Sequence, residues 1–166
     1  MKFRKMRRCR QQLTKEECVT ILTNATSGTL ALAGDNGYPY AVPISHVYSN
    51  GKLYFHSAPT GHKIDAIKRY GKASFCAIAA DEVHPSEFTT YFKSVIAFGR
   101  ILIVEDNDEK LHAVKLLGER FNPGDTEGLQ KEMDKSYTHM FILRMDIEHL
   151  SGKEAIELTR NRKSIN

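Results

Sequence analysis

Residues 29–57 run TLALAGDNGYPYAVPISHVYSNGKLYFHS, and the punctuation of this stretch decides the fold class. Asp35-Asn36-Gly37 and Asn50-Gly51 are hairpin turns, because asparagine and glycine accept the positive φ that tight turns demand. They divide the stretch into strands over 29–33, 38–48 and 52–57. In the third strand Leu53 and Phe55 share one face, and Tyr54 and His56 share the other. Pro39 and Pro43 each remove an amide donor from the middle strand. That strand therefore lies at an edge, bulges, or turns toward something other than a neighbour.

Working outward, Thr14 and Glu17 form a capping box, and Cys18, Ile21, Leu22 and Ala25 follow at helical spacing, so 14–26 is an amphipathic helix. After the third strand, Pro59-Thr60-Gly61 is a loop, and 62–70 is a helix with Ile64 and Ile67 on its buried face. The continuous apolar run 73–80 is a strand, 81–88 a polar loop containing Pro85, and 89–104 a long strand bent at Gly99. Helices are expected over 107–121 and 126–135, and a last core strand over 140–147. Hairpin-linked strands with one inserted helix do not make regular βαβ units. The expected fold is a mainly antiparallel closed barrel with peripheral helices.

The chain has 166 residues with 41% apolar and 27% charged, which fits one globular domain with a buried core. No apolar run approaches the length of a membrane-spanning helix, and no apolar stretch follows the basic N-terminus as a secretory signal requires. Cys9, Cys18 and Cys76 are odd in number and lack CxxC spacing, which favours reduced thiols in a cytoplasm. The net charge of +4 is unevenly placed. Lys2, Arg4, Lys5, Arg7, Arg8 and Arg10 stand in an N-terminal arm (1–13), leaving 18 basic against 20 acidic residues in 11–166. With no basic stripe on the domain itself, the arm is expected to pack on its own domain or on a sister subunit rather than on nucleic acid.

Chemistry concentrates where the third strand ends. His56 and Ser57 lead through a small-residue loop to Gly61-His62-Lys63. Backbone amides at a helix start attract anions, and a lysine in the first turn opposes the helix dipole unless an anion sits beside it. The same residues would also suit a surface helix with a solvated lysine. None of the seven histidines stands three or four residues from another, so no metal site is expected. Gly-x-Ser-x-Gly, GxGxxG and P-loop motifs are all missing from the sequence, against hydrolase, Rossmann and NTPase functions.

Three motifs carry a resemblance across nearly the whole chain: residues 38–43 (YPYAVP), 54–58 (YFHSA) with Gly61-His62-Lys63, and 91–99 (YFKSVIAFG). With them the chain resembles the flavin-binding split barrels related to pyridoxamine 5′-phosphate oxidase, and among these the nitroimidazole resistance proteins. The resemblance implies a six-stranded antiparallel split barrel. It implies a homodimer with flavin mononucleotide (FMN) in clefts between the subunits, and reduction of a nitroaromatic such as a 5-nitroimidazole. It places the phosphate near Ser57, Gly61, His62 and Lys63, and the ring along Pro43-Ile44-Ser45 near His56, with Ser94 and Val95 lining the same cleft. His56 is then the candidate proton donor. The alternative is a flavin or haem carrier, or a redox sensor, without turnover. Relatives often have Tyr or Phe where this chain has His46, and Arg160-Asn161-Arg162 lacks the Arg-x-His pattern of the true oxidases, so vitamin B6 oxidation is not expected.

Overall fold

The computed structural model describes residues 3–164. At its centre is a sheet of seven strands: β1 Ser27–Ala33, β2 Pro39–Ser45, β3 Val47–Ser49, β4 Lys52–Ser57, β5 Lys72–His84, β6 Thr89–Ile103 and β7 Phe141–Glu154. Around it, among the described residues, stand α1 Lys15–Asn24, α2 His62–Arg69, α3 Asn107–Phe121, α4 Thr126–Ser136 and α5 Ile156–Ser164. The spatial order is β2-β1-β5-β6-β7-β4-β3, and every neighbouring pair is antiparallel.

This sheet keeps the mainly antiparallel split-barrel architecture and corrects two expectations, the count of six strands and the closure of the barrel. The strand expected over 38–48 is two strands, because His46 leaves the ladder and turns into the core, where it is fully buried. The sheet also stays open. β2 and β3 are its edges, and β2 comes close to β4 without pairing with it. Pro39 and Pro43 lie four residues apart on one side of β2 and deny that side the amides a second partner strand would need.

Most local expectations hold. Thr14 and Glu17 form the capping box, and Asn36, Gly37, Asn50 and Gly51 all take positive φ at the two hairpin turns. The polar segment 81–88 is not a loop. β5 runs on to His84, Asp81 opposes Phe92 and Val83 opposes Thr90, and the chain reverses at Pro85–Glu87. Its polarity belongs to a strand ribbon that projects into solvent. β7 likewise continues to Glu154. The bend at Gly99 is a register shift against β7, and a Cβ there would lie 2.1 Å from the Asp146 carbonyl oxygen, so only glycine fits.

The inner face of the sheet carries Leu30, Leu53, Phe55, Phe75, Val95 and Met145, all without exposed surface. Burying each such side chain is worth roughly 1.5–3 kcal/mol. Leu22 of α1 and Ile64 of α2 close this core. A second cluster, including Tyr54, Val114 and Ile142, seats α3 on β4 and β7. Tyr54 therefore lies under α3, although it shares its strand face with the more open His56. Its hydroxyl donates to Glu109 Oε1 at 2.8 Å, and Arg144 Nη1 donates to Glu109 Oε2 at 2.7 Å. Burial first, and the bond to Glu109 second, push the Tyr54 phenol up to about 12.

The basic arm packs on its own domain. Leu13 is buried and its amide donates to the Gly152 carbonyl at 3.0 Å, Gln11 Nε2 donates to the Glu154 carbonyl at 2.9 Å, and Phe3 stacks on His149. Met1 and Lys2 lie outside the described residues.

Candidate functional site

The open seam between β2 and β4 is where the sequence-predicted residues meet. Pro43, Ile44 and Ser45 end β2, His56 and Ser57 end β4, and Lys63 opens α2. All six line one cleft of about 680 Å³. Unlike a closed barrel wall, this seam leaves backbone groups of the β2 edge without a strand partner, so a ligand can use them. Ser57 is nearly buried, and its hydroxyl donates to the Ala58 carbonyl at 3.0 Å.

The start of α2 is built to meet an anion. Gly61 precedes it at φ 114, in a region that L side chains avoid, and no side chain caps the helix. The Ile64 and Asp65 amides bond back to the Gly61 carbonyl, which leaves the first amides of the helix without an intrahelical partner. Lys63 is half-buried, and burial lowers its pKa. No carboxylate among the described residues offsets that effect. An unpaired ammonium beside free amides is a site for phosphate or a similar anion.

His56 stands at the cleft surface, open to solvent on one side and enclosed on the other. That enclosure first, and the Lys63 charge second, lower its pKa below the ordinary imidazole value. At neutral pH the ring is therefore neutral, with one N–H to donate and one nitrogen to accept.

Other candidates land elsewhere. His62 turns away, with Nε2 3.4 Å from Asp35 Oδ2 and its ring stacked on Tyr40 at 4.1 Å. Gly61 contributes through the helix start. Val95 is fully buried in the inner core, and Ser94 sits mid-strand opposite Ile78 and Lys153. Neither lines this cleft. His46, flagged as a departure from relatives, is a core residue. Its Nε2 donates to the Leu22 carbonyl at 2.8 Å, and its ring meets Phe75 edge-on.

Sequence reasoning missed the wall opposite Lys63. Glu132, Lys135 and Ser136 from α4, with His139 and Met140 just beyond it, complete the cleft. No local signal marked it: α4 buries none of its residues and packs on the second core cluster only through Leu129 and Met133. Ser136 Oγ donates to Glu132 Oε1 at 2.7 Å and holds that carboxylate at the rim. The arrangement can anchor a ligand by an anionic end at Lys63, hydrogen-bond its body to the β2 edge, and present it to one neutral imidazole.

The profile of the pyridoxamine 5′-phosphate oxidase family matches residues 14–154. A curated protein of Rhizobium meliloti (strain 1021), described as uncharacterized, is 28% identical over 152 residues, covering 86% of this chain and 93% of its own. Among solved structures, an FAD-binding protein from Mesorhizobium loti is 29% identical with a TM-score of 0.64, covering 87% of this chain and 97% of its own. A protein from Bacteroides thetaiotaomicron, proposed as a 5-nitroimidazole antibiotic resistance protein, superimposes with a TM-score of 0.75 at 20% identity over 86% of each chain. The last of these speaks to the fold alone.

Proposed function

The chain belongs to the pyridoxamine 5′-phosphate oxidase family, and on that premise we propose that it is an FMN-dependent reductase of nitroaromatic compounds, working at the β2–β4 seam. The observation that carries this reading is the union in one cleft of an unpaired Lys63 at an uncapped helix start with the neutral His56. The residues fit the cofactor: Lys63 and the first amides of α2 would hold its phosphate, and its ring would lie along Pro43, Ile44 and Ser45, where the backbone groups of Pro43 and Ser45 face away from β1. Bound flavin supplies electron-pair chemistry, and the protein supplies position and electrostatics. Lys63 binds, the β2 edge orients, and the His56 N–H is placed to hydrogen-bond an oxygen that gains charge as the nitro group is reduced. The Mesorhizobium loti relative that binds FAD supports a flavin in this fold, and the Bacteroides thetaiotaomicron structure, proposed as a 5-nitroimidazole resistance protein, shares the fold.

The working unit of this proposal is a homodimer. Inward-facing Val95 and Ala97 alternate with outward-facing Ile96 and Phe98, and Ile78 beside them is 63% exposed. An apolar outer face on the neighbouring strands β5 and β6 fits cover by a second copy. Ser94 shares that outer face with Ile96 and would lie at such an interface. Cys9, Cys18 and Cys76 are free thiols, which suits a reducing cytoplasm. No helix among the described residues is long and apolar enough to cross a membrane.

The test is anaerobic turnover. Flavin-loaded protein, reduced with dithionite, should be reoxidised by a 5-nitroimidazole with loss of the nitro absorbance. Retained flavin with no reoxidation would instead support the carrier without turnover, and protein that takes up no flavin would overturn both.

A further inference from the structure

Beside the cleft lies a second cavity that the proposed cofactor does not need. It measures about 380 Å³ between α3 and α4. Val114, Leu117, Leu129 and Met140 line it, and Asp125 and Glu132 stand at its rim. It opens on the first cleft, because His56, Glu132 and Met140 line both. The size falls within the range of small-molecule pockets.

Its walls are held in place by contacts within its lining and beyond it. At one end α3 and α4 touch closely, since a Cβ on Gly118 would stand 2.7 Å from Leu129 Cδ1. The turn between the helices is pinned by Asp125 Oδ1, which accepts from the Gly128 amide at 2.8 Å. At the other end Glu109 ties α3 to Tyr54 and Arg144, and Lys110 Nζ donates to the Tyr137 carbonyl at 2.7 Å. A cavity braced on both sides is ready for a ligand without rearrangement.

The two compartments differ in charge. The cleft sets Lys63 and Lys135 against the shared Glu132. The cavity offers an apolar lining and, at its rim, the carboxylates of Asp125 and Glu132, which repel an anion and accept a donor. We propose that this cavity binds the substrate of the reductase reaction, and that it selects neutral or cationic aromatic rings and rejects carboxylated ones. This rests on the function proposed above. In it the anionic cofactor end and the apolar substrate ring enter separate compartments and meet at His56.

The experiment measures equilibrium binding by calorimetry on protein with and without FMN, using 4-nitrobenzyl alcohol and 4-nitrobenzoate as probes. The alcohol should bind at least tenfold more tightly than the carboxylate. Leu117→Trp, which fills the cavity, should weaken the alcohol at least tenfold while FMN affinity holds. Glu132→Gln, an exposed change that leaves the core untouched, should narrow the gap between the probes, and it keeps the test decisive if the tryptophan variant misfolds. Equal binding of the two probes, or alcohol binding indifferent to both variants, would overturn the proposal. Failure of FMN to bind while the probes behave as described would strike the cofactor assignment and leave the cavity assignment standing.

Discussion

Lys63 and His56 line one cleft, and after burial itself it is the Lys63 ammonium that holds the His56 imidazole below its ordinary pKa. The two residues come from different elements, the first turn of α2 and the end of β4. An anion bound at Lys63 therefore does more than occupy the site. By screening the ammonium it lets His56 take up a proton more easily.

His56 should report this coupling. Followed by NMR, its titration should move to higher pH when inorganic phosphate or FMN is added, and also in Lys63→Met, where the charge is gone. In turnover, His56→Ala should keep bound flavin and lose about 10²-fold or more in nitro reduction per flavin, the usual scale of help from a positioned proton-transferring side chain. Unchanged turnover per bound flavin would remove His56 from the chemistry.

His46 carries a separate pH dependence, one of stability. Burial first lowers its pKa from 6.5, the Leu22 carbonyl partly opposes this, and Arg120 adds to it. The Nδ1 atom has no hydrogen-bond partner among the described residues. Above about pH 6.5 the ring is neutral in both folded and unfolded chains, and stability is full. As the pH falls below that value the unfolded chain binds a proton that the fold resists, and stability is lost. His56, also lowered, acts in the same direction. Thermal melts between pH 7.5 and 5 should show this loss in the wild type and a shallower one in His46→Phe. Identical slopes would show that His46 is not its source.

The outer face of β5 and β6 should be an interface between copies. Ile96→Glu places a charge beside the exposed Ile78 on that face and should convert a dimer to a folded monomer in sedimentation. Stable dimer interfaces of this kind bury about 2,000 Å² or more. A wild-type protein that sediments as a flavin-bearing 18.8 kDa monomer would remove the second copy from the account.

The sequence made much of this legible because its signals were local. Asn36-Gly37 and Asn50-Gly51 set the hairpins, Thr14 and Glu17 set α1, and Pro43 marked the unpaired edge that became the seam. Lys63 was legible because a cation in a first helical turn opposes the helix dipole. The rest depended on tertiary placement. Nothing local separates His46, sunk between Phe55 and Phe75, from His56, left at a cleft. The ribbon over 81–84 looks like a loop because strand pairing in solvent needs no apolar residues. The contribution of Glu132 and Lys135 depends on where α4 docks, which cannot be read from the helix alone.

The most direct measurement of the central claim compares FMN and riboflavin binding to wild type and Lys63→Ala by fluorescence quenching. A phosphate held by a charge-assisted hydrogen bond is worth roughly 1.5–3 kcal/mol. Lys63→Ala should therefore weaken FMN by about 10- to 100-fold and leave riboflavin, which has no phosphate, nearly unchanged. Equal losses for both ligands, or no loss for FMN, would contradict the assignment of this cleft to the cofactor phosphate.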